Sequence, residues 1–128
     1  MNSKTKKTIG WMLTALIIAF LLFDSIGKII GLEESVKATA ELGYSENLIS
    51  TVGILLLVLT ILFAIPKTST LGAVLLTAYL GGAVASNFRV ENPLFSHTMF
   101  PIYIAVIAWL GLSMRNENMI PFFIQKIK

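Results

Sequence analysis

Apolar residues along this chain gather into four long blocks separated by short polar breaks, and none shows the strict alternation of a half-buried strand. The blocks cover about residues 9–31, 48–65, 71–88 and 98–114. Each approaches the roughly 20 residues that a helix needs to cross the hydrocarbon of a bilayer. The first run, from Ile9 to Phe23, has the length of a signal-peptide core. No small-x-small cleavage site follows it, however, and the chain continues as Phe23-Asp24-Ser25. It is therefore read as a spanning helix that runs on to Gly31.

The breaks carry ordinary stop and turn signals. The first connector is polar, and residues 33–42 predict a short amphipathic helix ended by Gly43 as its cap. Pro66 stops the second block, and Lys67-Thr68-Ser69-Thr70 is a tight turn. Asn92-Pro93 marks the turn before the fourth block, where Pro101 falls in the first turn and its missing N–H costs least. The tail, residues 115–128, holds Pro121, Phe122, Phe123, Ile124 and Ile127 and is read as an interfacial amphipathic segment. The predicted fold is all-α: a four-helix transmembrane bundle forming one domain over residues 1–128, with a short amphipathic helix between the first two spans.

Composition agrees. The chain is 55% hydrophobic and 13% charged, against about a quarter charged in soluble domains. Lys4, Lys6, Lys7, Lys67, Arg115, Lys126 and Lys128 fall on one side of the predicted bundle, and Lys37 and Arg89 on the other. The positive-inside rule then places both termini in the cytoplasm. The basic residues form no stripe with aromatics, which argues against nucleic acid as a partner. The expected surroundings are the lipid bilayer, with a membrane protein partner or a second copy of the chain as candidates. With no cysteine, dithiol chemistry and thiolate metal sites are excluded. With His97 the only histidine, a bis-histidine haem within one chain is excluded too, and no metal site is expected.

Small residues on the third block fall at helical spacing: Ala73, Thr77, Gly81 and Ala85 on one face, and Ala78, Gly82 and Ser86 beside it. Such faces let membrane helices approach closely. This predicts the third block as the central packing element, with Gly81 and Gly82 against the first. Gly27 and Gly31 form a second small-residue pair, a weak motif by itself.

The unusual chemistry collects at one end. Asp24 and Lys28 stand at i, i+4 with the acid first, the favourable order for a helical ion pair. The aspartate is the better marker, because lysine snorkels to the headgroups and aspartate is too short to do so. The topology brings Asn87, Arg89, His97 and Tyr103 to the same end, giving a candidate outer-leaflet polar pocket of Asp24, Lys28, Asn87, Arg89, His97 and Tyr103. Each has a plainer role: a structural ion pair for Asp24 and Lys28, a snorkelling arginine, a histidine bonded near a helix start, belt or packing tyrosines. The plainer roles are preferred for the Asp24–Lys28 pair, for Arg89 and His97, and for the tyrosines. No hydrolase elbow, phosphate loop, metal-ligand helix or dinucleotide fingerprint is present, so no residue is assigned as catalytic.

The stretch from Ala78 to Tyr103, with its glycine pair, Arg89, Pro93-Leu94-Phe95 and His97-Thr98-Met99-Phe100-Pro101, resembles the signature of the DoxX-like family. The likeness extends to residues 23–31, to Glu41-Leu42-Gly43-Tyr44 and to Ile65-Pro66-Lys67-Thr68, and only the two tails fall outside it. The resemblance implies a small four-helix protein of the bacterial inner membrane. It also implies an accessory role in quinone-linked redox or envelope stress chemistry, with quinone as the candidate cofactor. Many members carry a histidine two positions before the arginine. This chain has Asn87 there, so a role that needs an imidazole does not transfer. Two alternatives stand beside that reading: a small proton-coupled transporter using Asp24, and a structural module that binds a membrane partner.

Overall fold

The computed structural model describes residues 2–116. Its helices are α1 (Ser3–Ile30), α2 (Glu33–Glu41), α3 (Glu46–Ala64), α4 (Ser69–Arg89) and α5 (Phe100–Arg115). One 3-10 turn, Pro66–Thr68, precedes α4, and one wide π turn, Leu94–Thr98, precedes α5. Four helical segments are long and apolar enough to cross a membrane, and α2 is the short amphipathic connector. The all-α bundle expected from the sequence is present.

Helix ends follow local chemistry. α1 starts earlier than its apolar block because the Asn2 side chain accepts from the Thr5 N–H at 2.8 Å and caps the first turn. Lys4, Lys6 and Lys7 therefore stand on the helix itself. α1 ends where Gly31 turns left-handed, at φ 76°, and the N–H groups of Gly31 and Leu32 both return to the Gly27 carbonyl. Gly43 plays the same part after α2, at φ 97°. Pro66 forces Ile65 into extended backbone and stops α3. The Thr68 hydroxyl then donates to Leu62 O at 2.7 Å and the Ser69 hydroxyl to Phe63 O at 2.8 Å, satisfying carbonyls at the end of α3.

α1 packs between α3 and α5, and α4 packs between the same two helices on the opposite side. α1 and α4 are diagonal and make no close backbone approach. The expectation that Gly81 and Gly82 lie against α1 is therefore corrected: a Cβ on either would meet nothing within 4 Å. Close approaches are made at other glycines. A Cβ on Gly53 of α3 would lie 2.8 Å from the Ser25 carbonyl oxygen of α1, and Gly72 of α4 presses on the Phe63 backbone. Gly27 faces Ser35 of α2, and Gly31 serves as a cap with open space beside it. The core runs through Ile17, Leu21, Leu56, Phe63, Leu76, Ile104 and Leu112. Outward positions such as Met12, Leu16, Leu71 and Val106 are large, apolar and exposed, as a lipid-facing surface requires. The interfacial segment read in the tail lies outside the described residues from 117 onward.

Candidate functional site: a cavity between the diagonal helices

A bundle with two helices on its diagonal is filled only if their facing side chains are large enough to meet. At the end carrying Trp11 and Arg115 the space is closed. Gly10 and Gly111 bring α1 and α5 into backbone contact there. Arg115 spans the gap, donating to Thr14 Oγ1 at 3.0 Å and Ser69 Oγ at 3.3 Å. Its guanidinium carbon lies 4.3 Å from the Trp11 ring centre and 5.5 Å from that of Phe63. One arginine thus ties all four long helices together. In the sequence it counted only towards orientation.

At the other end α4 presents Ala78, Gly82 and Ala83, and the space stays open as a cavity of about 520 Å³. Such a volume falls within the roughly 300–1,000 Å³ of small-molecule sites. Phe20, Leu21, Asp24 and Lys28 line it from α1, Val52 and Leu55 from α3, and Phe100, Pro101 and Ile104 from α5. Ala38, Thr39 and Leu42 cover it from the α2 segment, followed by Tyr44. The Phe20 and Phe100 rings meet edge to face, with centres 5.5 Å apart. Two contacts hold the cover to α4: the Tyr44 hydroxyl with Ser86 Oγ at 3.0 Å, and Arg89 Nη2 donating to Leu42 O at 3.0 Å.

Asp24 and Lys28 form the only ion pair among the described residues, and both line the cavity. Lys28 Nζ donates to Asp24 Oδ1. Asp24 Oδ2 and the Tyr79 hydroxyl make no hydrogen bond among the described residues, and neither is sealed away as a buried unsatisfied atom. A polar spot therefore sits in a mostly apolar chamber.

The other candidate residues stand nearby but do not line this cavity. Asn87 is buried; its amide donates to Ala83 O at 2.8 Å and its Oδ1 accepts from Asn92 Nδ2 at 2.8 Å. Arg89 anchors the α2 cover. His97 is exposed, with Nδ1 2.8 Å from Ser96 Oγ. Tyr103 donates to Phe95 O at 3.0 Å. These four build the α4–α5 connection and the edge of the cover. Tyr44, Tyr79 and Thr39, by contrast, face the cavity, and no sequence spacing brought them together. The small residues at 78 and 82 were the available signal, and they mark space rather than a helix contact.

The model of the DoxX-like family matches residues 12–111, most of the chain. No curated protein and no solved structure matches it. The span pattern and this match together define a multi-pass integral membrane protein, and the chain belongs to the DoxX-like family.

Proposed function

We propose that this protein is an accessory component of the bacterial inner membrane that holds a membrane-dissolved amphiphile of quinone type in the cavity between α1 and α4, in service of quinone-linked redox or envelope stress chemistry. The supporting observation is the pairing of apolar and aromatic walls with one polar spot, Asp24, Lys28 and Tyr79, that has unused hydrogen-bonding capacity. A ligand with a polar ring and an apolar tail satisfies both parts. The Asp24–Lys28 pair offers an acceptor and donors to the oxygens of such a ring, and Phe20, Phe100, Tyr44 and Tyr79 line the cavity beside it.

The test is the lipid extract of protein purified from its own membranes. Quinone enriched over bulk lipid, and lost from a Gly82→Leu variant that fills the cavity, is the expected result. Quinone at the bulk ratio in both proteins contradicts it. A second reading rests on Asp24, which lines the cavity and whose Oδ2 makes no hydrogen bond among the described residues: the carboxylate carries protons in a small coupled transporter. Solute uptake into vesicles driven by a pH gradient and abolished by Asp24→Asn distinguishes this reading from the first.

A further inference from the structure

We propose that the cavity favours the phenolic, hydroxyl-bearing form of such an amphiphile over its carbonyl form, a neutral ring whose hydroxyl donates to Asp24 Oδ2; this rests on the reading of the cavity as a ligand site. Charge balance decides the class. Among the described residues, Asp24 and Lys28 are the only charged ones lining the cavity, and they neutralise each other. A cationic or anionic guest would leave one charge uncompensated against mostly apolar walls, a cost that one hydrogen bond does not offset. The guest is therefore neutral.

Accessibility decides which polar group it meets. The Asp24 side chain is 34% exposed and that of Lys28 11%. The carboxylate is therefore the member of the pair that a guest reaches first. An ionised carboxylate only accepts hydrogen bonds, and Oδ2 has no donor among the described residues. The guest must bring an O–H or N–H, and a carbonyl or ether at the same place would face the oxygen unpaired. Four aromatic side chains on the walls, Phe20, Phe100, Tyr44 and Tyr79, select a ring to carry that donor. The apolar remainder of the wall, including Leu55 and Ile104, takes an alkyl tail.

The experiment uses four probes of one shape: 4-heptylphenol, its methyl ether, protonated 4-heptylbenzylamine and 4-heptylbenzoate. Binding to the full chain is measured by equilibrium dialysis at fixed detergent, with Gly82→Leu protein as the blank. Gly82 has open space beside it, so the substitution fills the cavity without a backbone clash; Ala78→Leu is the second blank if the first fails to fold. We expect one saturable site for the phenol, filled at roughly ten-fold or more lower concentration than for the methyl ether, as a hydrogen bond to a charged acceptor requires. Both charged probes bind more weakly than the phenol. Equal binding of phenol and ether, or tightest binding of a charged probe, overturns the phenol assignment and leaves the cavity standing as a ligand site. Binding of no probe above the blank overturns both.

Discussion

Gly10 of α1 and Gly111 of α5 face each other so closely that a Cβ on Gly10 would lie 2.8 Å from the Gly111 carbonyl oxygen, and one on Gly111 3.0 Å from that of Gly10. This mutual contact closes one end of the bundle. The glycine pair on α4, by contrast, has nothing beside it. Gly111→Leu should therefore lower stability by about 1–3 kcal/mol or more through overpacking, while Gly82→Leu leaves it nearly unchanged. Unfolding in mixed micelles of rising sodium dodecyl sulfate content measures both. Equal losses at the two positions would contradict the packing described here.

Arg115 is predicted to be the main polar tie of the closed end. Replacing it with alanine removes two hydrogen bonds and the contact over Trp11, for an expected loss of about 2 kcal/mol. Lysine should not restore the loss, because it lacks the planar fork that reaches Thr14 and Ser69 together. The same unfolding assay reads the energy, and tryptophan emission reads the change around Trp11. Full rescue by lysine would show that charge alone matters there.

The span order was legible in the sequence because hydropathy and breakers act locally. Pro66, Gly31 and Gly43 end helices where the pattern placed the breaks. The early start of α1 was less visible, since it depends on one side-chain cap at Asn2 rather than on apolar periodicity. The helix arrangement was not legible. Small residues at 81 and 82 show that something can come close, but not that anything does, and the close contacts went to Gly10, Gly53, Gly72 and Gly111.

The candidate site was legible in part for the same reason. The i, i+4 spacing identifies the Asp24–Lys28 pair within a single helix. That Tyr44 and Tyr79 line the same cavity as that pair depends on how the α2 segment and α4 pack in the bundle, which no local pattern encodes. Asn87, Arg89, His97 and Tyr103 do reach the same end, where the chain uses them in its connections.

The distribution of Lys and Arg predicts sidedness. A reporter fused after Ser45 and one fused after Asn116 should lie on opposite faces of the membrane, with Asn116 in the cytoplasm. Alkaline phosphatase and green fluorescent protein fusions give complementary signals. The same side for both positions would contradict four spans.

The ion pair should behave as a coupled unit. Asp24→Asn and Lys28→Met each leave one charge unpaired in the cavity wall, while the double variant leaves none. Because Asp24 is a third exposed, the coupling energy is expected to be modest, about 1 kcal/mol. Strict additivity of the two losses would show that the pair contributes nothing to the fold.

α4 turns one face to the cavity that holds the Asp24–Lys28 pair and the adjacent face to an apolar groove. The chain has no cysteine, so single cysteines can be read without background. Gly82 lines the cavity, whereas Gly81 lines an apolar groove between α4 and α5 with Thr77, Pro101 and Trp109. Thiols react with methanethiosulfonates as thiolates, which form where water reaches and not in hydrocarbon. The most direct measurement is the labelling rate of Gly81→Cys and Gly82→Cys by a small permeant methanethiosulfonate in native membrane vesicles. Rapid labelling is expected at position 82 and little at position 81. Equal rates at the two positions, or faster labelling at 81, would contradict it.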